Sequence, residues 1–150
     1  MTYVLDACAL IAYLKKEEGQ EKVLDILQKA ENETASVYMS IINLIEVHYG
    51  FVDDLGKERA AVILNKIYNL PLQIIDTLNS HVFSEAVRFK STYKGKGSIS
   101  KNPLSLADAI GLATAIDRHG VFVTADGGFL EPEAVEHAPV FWFRPPKQEK

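Results

Sequence analysis

An α/β sandwich built on a mostly parallel sheet is the fold this sequence predicts, and three observations carry the prediction. The candidate strands are short and continuously apolar, which is how strands covered on both faces read, rather than alternating as a half-solvated sheet would. Amphipathic helical segments separate those strands along most of the chain. The composition, 150 residues with 47% hydrophobic and 24% charged, suits a single domain over residues 1–150. A domain of that size buries roughly 70% of the surface its unfolded chain exposes, so it needs no staple to fold.

Tyr3-Val4-Leu5 is the first strand, followed by Asp6 and the helix-forming run Ala7 to Leu14, which stops near Gly19. Val23, Leu24, Ile26 and Leu27 recur at helical spacing between Gln20 and Ala30, giving a second, amphipathic helix. Ala35 to Met39 reads as a strand, after which Ser40 caps a helix from Ile41 to about Gly50. A longer helix runs from about Gly56 to Tyr68 and ends at Leu70-Pro71, because a residue before proline is pushed out of the helical region. Leu72 to Ile75 is the next β-rich run. Asp76 or Thr77 caps a helix from about Leu78 to Tyr93, which gives way to the flexible Lys94-Gly95-Lys96-Gly97-Ser98 stretch. A helix from about Ser105 to His119 is closed by Gly120, Val121 to Thr124 is a buried strand, and Val140 to Phe143 forms a last strand before a polar tail.

Several classes are excluded. The one cysteine, Cys8, cannot form an internal disulfide, and no Cys/His cluster has the spacing of a zinc site, so a reducing cytoplasm is the expected compartment. The N-terminus lacks a basic region and carries Asp6 inside its apolar stretch, unlike a signal peptide, and no apolar run approaches the ~18 residues of a membrane helix. A formal net charge of −4 argues against a lysine-covered duplex binder.

The acids draw attention instead. In parallel α/β sheets ligands sit beyond the carboxyl ends of the strands, where Asp6 and Asp126 fall. Asp108 shares an apolar helix face with Leu112 and Ala115, and Glu46 lies between Ile45 and Val47, four residues after Ile42 with little lysine or arginine nearby, so all four acids are expected to face inward without partners. Each has a structural alternative: Asp6 as a helix cap, Asp108 as the fourth position of a Ser-x-x-Asp capping box, Asp126-Gly127-Gly128 as a turn, Glu46 as a solvated helix residue. If the four converge, carboxylates ~5 Å apart repel by roughly 3 kcal/mol per pair at an effective dielectric near 20, and a cation removes that cost. All-oxygen ligation suits Mg²⁺ or Mn²⁺, and the natural chemistry of such a centre is phosphodiester hydrolysis.

Four segments, Val4 to Ile11, Ser40 to Gly50, Leu106 to Ala113 and Thr124 to Phe129, together resemble the PIN-domain family, in the family's order and across nearly the whole chain. The compact size is similar to its VapC-type toxin ribonucleases. The resemblance implies a three-layer α/β/α fold and Mg²⁺- or Mn²⁺-dependent endoribonuclease activity, with Asp6, Glu46, Asp108 and Asp126 as the acidic, metal-binding centre and Thr124 as a supporting hydroxyl. It also implies a homodimer and a small antitoxin protein that holds the enzyme inactive.

Between Glu85 and Asp108 there is no acid, while Arg88, Lys90, Lys94, Lys96 and Lys101 supply five bases around Tyr93. On an acidic protein this stretch reads as an RNA-phosphate contact, with Tyr93 stacking on a base of a single strand. Two competing functions are weaker. A haloacid-dehalogenase-like phosphatase needs a second acid two residues after Asp6, where this chain has Cys8. A non-cleaving RNA- or protein-binding module has no use for four unneutralised acids. His48, Tyr49 and His81 receive no role.

Overall fold

In the computed structural model, which describes residues 1–147, five strands pair side by side: β1 (Thr2–Leu5), β2 (Ser36–Ser40), β3 (Gln73–Ile75), β4 (Val121–Asp126) and β5 (Val140–Lys147). Their order is β3-β2-β1-β4-β5 and every pair is parallel. The register sets Tyr3 against both Val37 and Val121, so β1 is central. Alternate residues of these strands face opposite cores. Tyr3, Leu5, Val37 and Val123 join one cluster, and Val4 and Phe122 join the other. Both faces demand apolar residues, which is why the strands read as unbroken hydrophobic runs.

Seven α-helices cover the sheet among the described residues. α1 (Ala7–Lys15), α2 (Gln20–Glu31), α3 (Ile41–Leu55) and α4 (Lys57–Tyr68) supply residues such as Leu10, Ile26, Val47 and Ile67 to the first core. α5 (Ser80–Thr92) and α6 (Leu106–Asp117) close the second core with Phe89, Ile110 and Leu112. The result is the expected three-layer arrangement. The strand order reverses direction between β1 and β4, and in open parallel sheets a crevice opens at the carboxyl ends on either side of such a switch point. No helix among the described residues is long and apolar enough to cross a membrane.

Five elements differ from expectation. α3 continues past Gly50 to Leu55 because Phe51 extends the buried stripe of Leu44 and Val47, and burying an aromatic ring outweighs the ~1 kcal/mol a mid-helix glycine costs. α5 begins at Ser80, with Asn79 as its cap in place of Asp76 or Thr77. The Asn79 side chain accepts from Val82 N–H at 2.9 Å and donates to Asp117 at 2.9 Å, a tether to α6 that the alternatives lack. A 3₁₀ turn (Gly127–Phe129) and α7 (Leu130–Glu136) fill the stretch after β4 that the sequence left unassigned. Seven residues give little helical signal. The helix is held from outside, with Glu131 accepting from the α5–α6 connection, Glu133 from Trp142 of β5 and Glu136 from Arg88 of α5. β5 runs past Phe143, where the sequence predicts a polar tail, to Lys147, which pairs with Asp126 after a register shift, and the rest of the tail, residues 148–150, lies outside those described.

Candidate active site

Asp6 leaves the end of β1 in extended conformation and caps α1, its Oδ1 accepting from Ala7 N–H at 2.8 Å. Asp126 ends β4, and its Oδ1 accepts from Gly128 N–H at 2.8 Å. Asp108 stands in the first turn of α6, where it and Ser105 form a reciprocal capping box, each accepting at 3.1 Å from the other's backbone N–H. The structural alternatives for these three acids are therefore realised. They do not compete with a shared site, because for Asp108 and Asp126 the cap bond falls on a single carboxylate oxygen.

The three aspartates and Glu46 line one cleft of about 410 Å³, together with Cys8, Asn102 and Ser105, and no lysine, arginine or histidine among the described residues contributes to its wall. Asp6 and Asp108 are 4% and 8% exposed. Glu46 departs from the inward position expected of it. It is exposed at the cleft mouth, and its neighbour Ile45 is 58% exposed, so the isoleucines around it do not enclose it.

Burial and mutual repulsion set the proton affinities. Desolvation raises the Asp6 carboxyl to about 6, against the stabilising Thr124 and Cys8 hydrogen bonds and with the help of the Asp126 charge. Desolvation followed by the Asp6 and Asp126 charges raises Asp108 to about 8. Glu46 is raised by the same causes. Cys8 is pushed well above the usual thiol range by burial and the Asp6 charge, so it sits as a neutral thiol.

Among the described residues no group of three or more His, Cys, Asp or Glu stands close enough together to hold a metal ion as placed. The chemistry of the carboxylates nonetheless suits a hard divalent cation, being oxygen-only, anionic, without a basic partner among the described residues of the wall and open enough for an ion that keeps several waters. Asp6, Glu46, Asp108 and Asp126 are the residues that could hold it.

Thr124, fully buried, donates from Oγ1 to Asp6 Oδ2 at 2.6 Å. Asn43, which the sequence did not single out, donates from Nδ2 to Asp6 Oδ1 at 3.4 Å, while its own Oδ1 is buried without a partner among the described residues. The available signal was an amide inside the apolar Ile41 to Val47 run, one turn before Glu46.

The basic stretch divides. Arg88 is bound by Glu85 at 2.9 Å and Glu136 at 2.8 Å, and Lys90 donates to the Leu104 carbonyl at 2.9 Å, so both charges serve packing. Tyr93 is 6% exposed, packs on Phe89 and donates its hydroxyl to Glu136, which removes its ring from base stacking. These three expectations are corrected. Lys94, Lys96 and Lys101 remain exposed.

The model of the family described as PIN domain matches residues 3–134. No curated protein matches by sequence. Among solved structures, the chain is similar to VapBC2 from Rickettsia felis bound to a DNA fragment from the promoter, at 21% identity and a TM-score of 0.70, covering 95% of this chain and 98% of that one. It is similar to VapBC-1 from nontypeable Haemophilus influenzae at 17% identity and a TM-score of 0.67, with the same coverage of 95% and 98%. A toxin-antitoxin complex from Klebsiella pneumoniae follows at 20% identity and a TM-score of 0.64, again covering 95% and 98%. At these identities the likeness is one of fold.

Proposed function

The chain belongs to the PIN-domain family, and from that premise we propose that it is a single-domain endoribonuclease of the VapC toxin type, cleaving single-stranded RNA with Mg²⁺ or Mn²⁺ held at the acid-lined cleft. One observation carries the reading: four carboxylates, one just after β1 and the others from α3, α6 and β4, line a cleft whose wall contains no basic side chain among the described residues. Asp6, Glu46, Asp108 and Asp126 would hold the ion. When bound, it supplies water activation near neutral pH and positive charge against the scissile phosphate.

The protein's own groups set up that step. Thr124 and Asn43 fix the two oxygens of Asp6, and the Ser105 capping box fixes Asp108, so the carboxylates are pre-oriented rather than recruited. Lys94, Lys96 and Lys101 offer phosphate contacts along the α5–α6 connection, which compensates an otherwise acidic surface. The toxin-antitoxin neighbours support a small antitoxin partner for this chain, and a homodimer in the cytoplasm completes the proposal.

Labelled single-stranded RNA incubated with Mg²⁺, and in parallel with EDTA, tests the assignment. Cleavage should require the cation and leave 5′-phosphate ends. Asp108→Asn and Asp6→Asn retain capping ability, so the fold should survive while turnover falls by several orders of magnitude. Products ending in 2′,3′-cyclic phosphate, or an Asp6→Asn protein at wild-type rate, would overturn it.

A further inference from the structure

The connection between α5 and α6 is a built strap. Glu131 Oε2 accepts from the backbone N–H groups of Ile99 at 3.1 Å and Ser100 at 2.9 Å. Ser100, 2% exposed, donates from Oγ to the Gly127 carbonyl at 2.9 Å, one residue after Asp126. Gly97 lies so close over the Glu131 carboxylate that a Cβ there would stand 2.3 Å from Oε1 and 2.4 Å from Cδ. Gly95 holds a left-handed φ of +75°, where a Cβ would come within 2.6 Å of the Lys101 carbonyl. The two glycines that read as flexibility in the sequence are close-approach positions in the structure.

Beneath this strap is a cavity of about 390 Å³ whose walls include Tyr93, Lys94, Lys96, Ser100, Asn102 and Glu131. That volume lies within the ~300–1,000 Å³ range of small-ligand sites. Asn102 and the acid cleft share a wall, so the two cavities adjoin. Lys94 and Lys96 are exposed, and neither is in an ion pair among the described residues. A polymer crossing the acid cleft would pass next over a hollow with two uncommitted ammonium groups at its edge. A phosphate complements that charge, and the volume of the hollow admits the base and sugar that such a phosphate carries.

We propose that this cavity is a nucleotide subsite, which takes one nucleotide of single-stranded RNA beside the scissile phosphate, with Lys94 and Lys96 on its phosphate and Glu131 holding the strap in shape. The proposal rests on the ribonuclease reading for the position of the scissile phosphate. Occupancy of the subsite itself is measurable without cleavage.

Binding of a fluorescent single-stranded oligoribonucleotide in EDTA, followed across a salt series, and cleavage-site mapping of a random-sequence pool in Mg²⁺ test it. Losing the contacts of one held nucleotide is expected to lower affinity about tenfold. Gly97→Ala and Glu131→Ala should each weaken binding by about that factor and flatten the nucleotide preference at one position beside the cut. Glu131→Gln, which keeps a carbonyl acceptor for the two N–H groups, should stay near wild type. Lys94→Ala with Lys96→Ala should lower the salt slope by up to about 0.7 for each phosphate no longer neutralised. If these variants, folded as judged by thermal melting, bind and select sites as wild type does, the subsite is excluded, and a wild-type protein that does not bind RNA in EDTA excludes it too. Binding lost in Gly97→Ala while wild type cleaves no RNA would retain a nucleotide site and overturn the ribonuclease assignment instead. Should Gly97→Ala fold poorly, the two lysine replacements and Glu131→Ala decide the matter from the surface.

Discussion

Asn43 shows what a single side chain contributes to the acid cleft. It is fully buried, and its unpartnered Oδ1 carries a desolvation cost of about 1–3 kcal/mol. What offsets that cost is the N–H it directs at Asp6. A leucine of similar shape would remove both the orphaned acceptor and the bond to Asp6. Asn43→Leu is therefore predicted to unfold within about 1 kcal/mol of wild type, or later, in urea, while its single-turnover cleavage slows tenfold or more. Unchanged cleavage would show that Thr124 alone orients Asp6. Residues such as Asn43 are hard to read in a sequence because one amide in an apolar run looks the same whether it bonds solvent, backbone or a carboxylate. Asp6, Asp108 and Asp126 were legible for the opposite reason, since strand ends and helix starts are positions where a carboxylate reaches the crevice. Burial was the illegible part: Glu46 reads as enclosed by isoleucines in the sequence, yet its own helix turns Ile45 to solvent.

At the level of elements, α6 is the one that the site depends on most closely. Nine of its residues from Ala107 to Ala115 are buried, with Gly111 in their midst. A Cβ on Gly111 would stand 2.5 Å from the Phe122 ring and 3.0 Å from Asn43 Oδ1. Alanine gains about 1 kcal/mol of helix propensity over glycine, whereas overpacking against an immobile ring costs about 1–3 kcal/mol, so the clash wins. Gly111→Ala is predicted to destabilise the protein by about 1–2 kcal/mol in urea denaturation and to slow cleavage by displacing Asn43, and a stabilised variant would contradict this packing. The helices and strands with a long apolar period were readable from the chain, as the register of β1 with β2 and β4 bears out. α7 was not, because its position is fixed by Glu131, Glu133 and Glu136 reaching three distant segments, and no local pattern encodes such ties. The basic stretch was misread in part for the same reason. Arg88 and Tyr93 look free beside other bases until Glu136 is brought to them from the far end of the chain.

The molecule as a whole gathers carboxylates that only protons or a cation can neutralise. Asp6 is raised to about 6 and Asp108 to about 8 from an ordinary 3.8, so between roughly pH 4 and pH 8 the folded protein binds more protons than the unfolded chain. Stability from these groups is therefore full at low pH and is lost as pH rises through that window, by an amount on the order of a few kcal/mol. Thermal melting from pH 5 to pH 8.5, in EDTA and in Mg²⁺, with Asp108→Asn alongside, measures this directly. In EDTA the wild-type melting temperature should fall toward pH 8 by roughly 5–10 °C relative to Asp108→Asn, and Mg²⁺ at pH 8 should restore most of the loss in wild type but not in the variant. A wild-type melting temperature that runs parallel to that of Asp108→Asn across the range, with no response to Mg²⁺ at pH 8, would show that the acids neither repel one another nor share a cation.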